Sequence, residues 1–443
     1  MALSIAIPVM LQQLIQNLVS LIDNFMVAGL GDISMSGVNI AGQINFVFLV
    51  LITGLCTTGG IFMSQYNGAK DSEGMQQAFR FKLIVGLLCA IIYTAVCYVN
   101  PAPLLCLMVH GNENAQEIVV VGTDYMRAVS WSWIPMVVSL AIGSSLREID
   151  KVKPPLMISV CATIVNTVLN YFLIYGNCGF PRLEVVGAAF ATVVARIFEM
   201  VIFIVYIYKV KPPFFVRLCD FFNVRIKLFF TILVKFAMIL ISEMCWVMSE
   251  TITTALYNSR GGADVVSGMA AGFAITNLIF VAFTGVHTAT GVILGGTLGA
   301  NRLEEARNQR RWLQNGALVL GFFATGIGCL STVLIPLVFA NLSLASRNIA
   351  RGLLLVNSVY MPSWIYVNSQ FAISRVGGDT IMGVIVDVGI NALMVIPGMF
   401  ALTYLTNLEP VIMYAIIKLT DFLKIFVAGI WLKKERWLKC LTQ

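Results

Sequence analysis

An ionisable side chain inside a long apolar run costs about 2.5–3.5 kcal/mol on the insertion scale unless it faces a cavity or meets a partner. Each such residue is therefore a candidate for chemistry. Asp23 stands in LVSLIDNFMVAG with no basic residue within a helical turn. Nothing local neutralises it, which suits it to take up a proton or coordinate a cation. Asn166 and Asn170 are four apart and share one helical face, and Thr192 follows the small-residue run GAAFA. If these four converge, one carboxylate and three neutral oxygen-bearing side chains make a proton site or a hard-cation site fit for Na+.

The second half of the chain offers Glu243, Glu250 and Asp387, of which Glu243 and Asp387 are the stronger candidates for a transport role. Lys235, eight residues before Glu243, is one partner open to these acids; a residue of another helix is the alternative. Lys418, Asp421 and Lys424 read as pairing with one another at three-residue spacing. His287 lies in a Gly/Thr-rich span and reads as a packed neutral ring, with titration near neutral pH as the alternative; His110 reads as an outer-loop residue. The clustered Asp or His motifs that bind metal and phosphate in membrane-embedded phospholipid or prenyl transferases are absent, which argues against an enzyme. No cofactor is expected beyond a coupling ion.

The elements that must position these residues follow from composition. Hydrophobic residues make up 58% of the chain and charged residues 12%, with a mean hydropathy of +0.87; a soluble domain averages about 45–50% and about 25%. Such a chain has no polar surface left to face water and reads as a polytopic α-helical membrane protein. Apolar stretches fall near 3–29, 38–66, 80–102, 120–146, 154–176 and 185–210, then near 229–258, 265–298, 312–340, 350–374, 380–405 and 410–432. Twelve spans of roughly 20 residues or more fit the length. The run from Leu3 to Leu30 is too long for a signal peptide and reads as a first span whose charged leader is short or missing. With the N-terminus placed inside, most Lys and Arg fall in inner segments, among them Arg80, Lys82, Arg147 and Arg375, and the outer segments hold only Arg127, Arg182, Arg260, Arg347 and Arg351. That asymmetry predicts cytoplasmic N- and C-termini. It also explains the net charge of +7 as a topology signal and not a nucleic-acid footprint. The cysteines have neither metal-ligand spacing nor a disulfide framework.

The chain also repeats itself. TGLCTTGGIFMSQYNGAKDSEG, from Thr53, and TGVHTATGVILGGTLGANRLEE, from Thr284, match at one constant offset through Thr53, Gly54, Thr57, Gly60, Gly68, Ala69 and Glu73. Two six-helix copies are implied: an N-lobe over 1–211, a cytoplasmic linker over 212–227 and a C-lobe over 228–443. Six is even, so the copies point the same way and are related by an axis along the membrane normal. Parallel repeats of this kind typify secondary transporters that rock one half against the other.

These residues together resemble the multidrug and toxic compound extrusion (MATE) family. The resemblance rests on Pro8, Asp23 followed by VAGLG, TGLCTTGGIFMSQYNGAKD, Asn166-Thr-Val-Leu-Asn170-Tyr, VVGAAFAT ending at Thr192, and SRVGGDTIMGVIVD from Ser374 to Asp387. It implies an all-α integral membrane antiporter of a prokaryotic cell membrane, a monomer of twelve transmembrane helices in two pseudo-symmetric six-helix lobes around a V-shaped central cavity. Such proteins export cationic or amphipathic organic compounds in exchange for H+ or Na+. The family's first-span acid falls on Asp23 and its polar companions on Asn166, Asn170 and Thr192. Gln16 and Tyr125 fall where relatives line the same N-lobe cavity. Glu243, in SEMCW, resembles the seventh-span pattern of the DinF-like branch, with Ser242 where that pattern has Asn. PSWIYVNSQF lacks the tenth-span acid of the NorM-like branch, which favours coupling through Asp23. The rival reading within transport is a lipid-linked saccharide flippase of the wider superfamily, which would favour a cationic cavity over the acidic mid-membrane charges here.

Overall fold

The computed structural model describes residues 2–108, 115–217, 220–340 and 342–442; His110 and Cys219 lie outside the described residues. Among those described there is no strand. The first half contributes Ala2–Ala28, Asp32–Gly68, Ser72–Val99, Ala115–Glu148, Lys153–Tyr175 and Glu184–Val210. The second contributes Ile226–Asn258, Asp264–Gly299, Leu303–Val338, Leu344–Val376, Ile381–Leu405, and a last span made of Pro410–Lys418 and Thr420–Lys433. Helices are the outcome because a backbone in hydrocarbon must satisfy its own hydrogen bonds. Large apolar side chains such as Phe322, Phe323 and Phe426 stand exposed on the outside, which only a lipid solvent tolerates.

Ten of these spans are long and apolar enough to cross a bilayer on their own. The tenth, Leu344–Val376, is long but carries buried Ser346, Asn357, Ser358, Ser369, Gln370 and Ser374. Its polar groups are paid in hydrogen bonds with neighbours: Thr325 donates to the Ser358 carbonyl at 2.7 Å and the Tyr414 hydroxyl to Asn357 Oδ1 at 2.7 Å. The twelfth is interrupted at Leu419.

The chain packs as two compact units, Leu11–Met63 with Asp71–Leu233, and Met1–Met10 with Ser64–Lys70 and Val234–Gln443. In the first, Phe48 stacks on Tyr93 at 4.1 Å and meets Trp133 edge-on. In the second, Leu294, Leu298, Ile373, Val386 and Trp437 centre the core. The nine described cysteines are all free.

The duplication is written into the backbone. The second and eighth spans end at Gly68 and Gly299, equivalent under the repeat. Two residues on, Lys70 and Asn301 both turn left-handed, at φ 58° and 57°. Ala69 N–H reaches the Gln65 carbonyl at 3.0 Å, and Ala300 N–H reaches the carbonyl of the equivalent Gly296 at 3.1 Å. The two turns also meet. A Cβ on Gly68 would strike the Gly296 backbone, and one on Gly299 the Gln65 backbone, so glycine is required at both positions for the close approach.

Two expectations need correction, and the choice left open for Glu243 is decided in favour of another helix. The third helix begins at Ser72, ahead of the apolar stretch that marks it, so Lys82 is not a loop charge but 0% exposed inside the first unit. Glu243 pairs with Arg375 at 2.7 Å and not with Lys235, which donates to the Gly378 carbonyl; Arg375 is still helical there. Lys424 pairs with Asp387, not Asp421, because its ammonium lies against both Asp387 and Asn391 of the eleventh span. Lys418 lies over the Tyr414 ring.

Candidate functional site

Asp23 sits near the end of the first span, beside the fifth and sixth. Those two helices approach closely because Gly187, at the head of the GAAFA run, lies against the Leu173 backbone, the small-residue packing that membrane helices favour. Gly176, at φ 73°, caps the fifth span and turns the chain back. The approach aligns Asn166 and Asn170 with Thr192 and with the first span.

The four candidates do come together. Asn170 Nδ2 donates to Asp23 Oδ1 at 2.7 Å. The same nitrogen is 3.5 Å from Asn166 Oδ1, and Asn166 Nδ2 is 3.4 Å from Thr192 Oγ1. Thr192 donates back to the Ala188 carbonyl at 3.0 Å. Among the described residues Asp23 makes no ion pair, in contrast to Glu243 and Asp387. Asn170 Oδ1 is buried without a hydrogen-bond partner. A buried orphan acceptor costs about 1–3 kcal/mol, and here it lies on the residue that touches the carboxylate. Tyr125 packs against the apolar cluster of Val27, Ile174 and Ala188, which joins the first, fifth and sixth spans. Gln16 lies seven residues before Asp23 on the same helix and is half-buried.

The second unit treats its acids differently. Lys424 Nζ lies 2.7 Å from Asp387 Oδ1 and 2.8 Å from Asn391 Oδ1. Asp387 and Asn391 each sit in a widened π turn of the eleventh span, Val384–Val388 and Asn391–Val395, a distortion often found at functional positions. His287 is half-buried and packs near the Phe283 ring at 5.7 Å. The apolar groove lined by Met394, Leu402, Leu405 and Ile416 contains none of the candidate residues.

Sequence reasoning missed a second polar cluster below Asp23. Arg196 Nη1 binds Glu199 Oε2 at 2.8 Å, and Ser159 donates to Glu199 Oε1 at 2.8 Å. Gln12 Nε2 donates to Ser159 at 2.9 Å, and Arg147 Nη1 lies 3.5 Å from Gln12 Oε1. Lys82 Nζ donates to Ser144 and Ser145 at 3.1 and 3.2 Å. The signal was present, since Arg196 and Glu199 are ionisable residues inside an apolar span, as Asp23 is. Gln12 and Glu243 are equivalent under the repeat, and each receives the arginine that ends the fourth span of its own half, Arg147 or Arg375.

A duplicated set of twelve spans is an organisation found in many transporters. Comparison with known proteins makes this specific. The MatE family model matches residues 8–172 and 239–400, once in each half. The chain belongs to the MatE family. It is 24% identical over 366 residues to "Probable multidrug resistance protein NorM" of Pasteurella multocida, covering 81% of this chain and 76% of that one. A protein of the same name from Halalkalibacterium halodurans is 23% identical, over 73% of this chain and 69% of its own. Among solved structures, the crystal structure of MATE in complex with MaL6 superposes with a TM-score of 0.87 at 19% identity, covering 98% of this chain and 95% of that one. A MOP superfamily transporter from Pyrococcus furiosus, described as having a binding pocket of reverse polarity, gives 0.86 at 18% over the same shares.

Proposed function

We propose that this protein is a secondary active multidrug efflux antiporter, exporting cationic or amphipathic organic compounds in exchange for H+ or Na+. The observation that carries the reading is the uncompensated Asp23 beside the orphan Asn170 oxygen. A proton needs only the carboxylate. Na+ is a hard cation that takes oxygen ligands, and Asp23, Asn166, Asn170 and Thr192 offer such oxygens. Family membership and the names of the relatives support drug-like substrates.

In this mechanism the coupling ion enters at Asp23 from outside and displaces the organic cation, because both compete for one negative charge. The ion drives the change between outward- and inward-open states only through its different affinity in each. Gln16 and Tyr125 contact substrate near Asp23. Glu243 and Asp387 reach it only by exchanging their present partners, Arg375 and Lys424. The Lys/Arg asymmetry supports cytoplasmic termini, and the bacterial relatives support a prokaryotic inner membrane; a single chain carries both six-helix halves, so a monomer suffices. No resident cofactor is required.

The test is reconstitution in liposomes with Na+ and pH gradients imposed separately and a fluorescent organic cation as substrate. Gradient-driven uptake in the wild type that is lost in Asp23→Asn supports the reading. Intact coupled transport in Asp23→Asn defeats it.

A further inference from the structure

Glu199 is 3% exposed and lies in the sixth span, where a bare carboxylate is expensive. Its charge is met by Arg196, one turn earlier on the same helix. Arg196 is also close enough to act electrostatically on Asp23, and it follows Thr192 of the Asp23 cluster by four residues, so both lie on one helical face. Its side chain is 32% exposed, far less confined than Glu199. One guanidinium is thus within electrostatic range of two acids, and it pairs with only one of them here.

We infer that Arg196 is a shared counter-ion, pairing with Glu199 while Asp23 is free to hold the coupling cation and moving to Asp23 when that cation leaves. The net charge on these groups changes by one when the cation leaves. With the cation on Asp23 and Arg196 on Glu199, the four groups are neutral. When the cation departs, Arg196 crosses to the bared Asp23, and Glu199 is held by its remaining partners. Those partners are in place: Ser159 from the fifth span donates to it, and Arg147 from the fourth span lies within electrostatic reach. Gln12 from the first span ties Ser159 to Arg147. Asn166 and Asn170 face Asp23 from the fifth span. Beyond Arg147, Lys82 is held by Ser144 and Ser145 with Glu148 within electrostatic reach. The arrangement makes Glu199 a positioning residue for Asp23, because it keeps the guanidinium away until the ion has gone.

The inference rests on the antiport reading, and the test separates the two. Coupled transport is measured in liposomes as a function of outside Na+ and of pH, for wild type, Asp23→Asn, Glu199→Gln, Glu199→Asp and the double variant Arg196→Met/Glu199→Gln. Removing the Glu199 charge releases Arg196 onto Asp23. An opposite charge at that range lowers a carboxylate's proton affinity by at least about tenfold. Glu199→Gln is therefore expected to need at least about tenfold more coupling ion for half-maximal rate. Deleting Arg196 as well removes the competitor and restores the ion dependence to within about threefold of wild type, while Glu199→Asp stays near wild type. Two outcomes overturn the shared counter-ion: an unchanged ion dependence in Glu199→Gln, or a double variant as impaired as the single. If instead Asp23→Asn transports normally, the antiport reading itself has failed.

Discussion

Asn170 Nδ2 lies 2.7 Å from Asp23 Oδ1, a neutral donor at the place where a cation would have cancelled the charge. The contact orients the carboxylate without compensating it, and the amide oxygen is left without a partner. The second half shows the contrast, for there Asp387 is met by the ammonium of Lys424 at 2.7 Å. One half keeps a bare acid available while the other has spent its own.

Replacing Asn170 should therefore act on ion binding more than on folding. In Asn170→Ala the carboxylate loses its donor and the site loses an oxygen ligand. The lost oxygen ligand should raise the Na+ concentration for half-maximal exchange at least about tenfold while the maximal rate is largely kept, whereas a proton, which competes with the Asn170 hydrogen bond for the carboxylate, should bind more tightly, shifting half-maximal exchange to a lower H+ concentration. Ion titration of drug uptake in liposomes measures both. An unchanged half-saturation would remove Asn170 from the site.

Lys424 and Asp387 should behave as a structural pair. Breaking a buried pair from one side costs about 3–5 kcal/mol because the other charge is left uncompensated. Lys424→Met should accordingly lower thermal stability in detergent sharply, and Asp387→Asn in the same chain should recover most of the loss. If Asp387→Asn/Lys424→Met is well folded yet exports nothing, the pair belongs to transport after all.

The number of spans, their duplication and the Asp23 cluster are legible in the sequence because each depends on a local contrast: polar against apolar, or one segment against its copy. Asp23, Asn166, Asn170 and Thr192 stand out one at a time. Partners are not local. Arg375 and Lys82 look like the edge of a loop because hydropathy ends a span at its first charge, whereas neighbouring helices bury Lys82 and partly cover Arg375. For the same reason the sequence leaves Glu243 with a choice between Lys235 and another helix, and the tenth span supplies the partner, Arg375. Arg196 and Glu199 are the real omission. They are ionisable residues inside an apolar span, as Asp23 is, and only the fold shows that the guanidinium pairs with Glu199 within electrostatic range of Asp23.

The turns ending the second and eighth spans predict a sharp difference between neighbouring glycines. A Cβ on Gly299 would strike the Gln65 backbone, whereas one on Gly296 meets nothing within 4 Å. Gly299→Ala should cost about 1–3 kcal/mol through overpacking. Gly296→Ala should be neutral or slightly stabilising, since alanine is the better helix former by about 1 kcal/mol. Thermal unfolding of the two purified variants, side by side, decides it; equal stabilities would mean the two turns do not meet.

The pair Arg307–Glu435 gives a pH dependence whose sign follows from its geometry. Arg307 Nε donates to Glu435 Oε1 at 2.9 Å and Nη2 to Oε2 at 2.7 Å, a bidentate arrangement. Those hydrogen bonds hold the Glu435 carboxyl below the ordinary glutamate value. A lowered folded-state value means that the pair stabilises the protein above the unfolded value of about 4.3 and that its contribution is lost as the pH falls through the folded one. Wild type should thus be more stable than Glu435→Gln near neutral pH, with the gap closing as the medium is acidified below about pH 4. Both side chains are about two-fifths exposed, so the gap should be modest and shrink with added salt. Melting curves of both proteins across that range measure it, and a gap that stays constant into acid would show that Glu435 does not act through its charge.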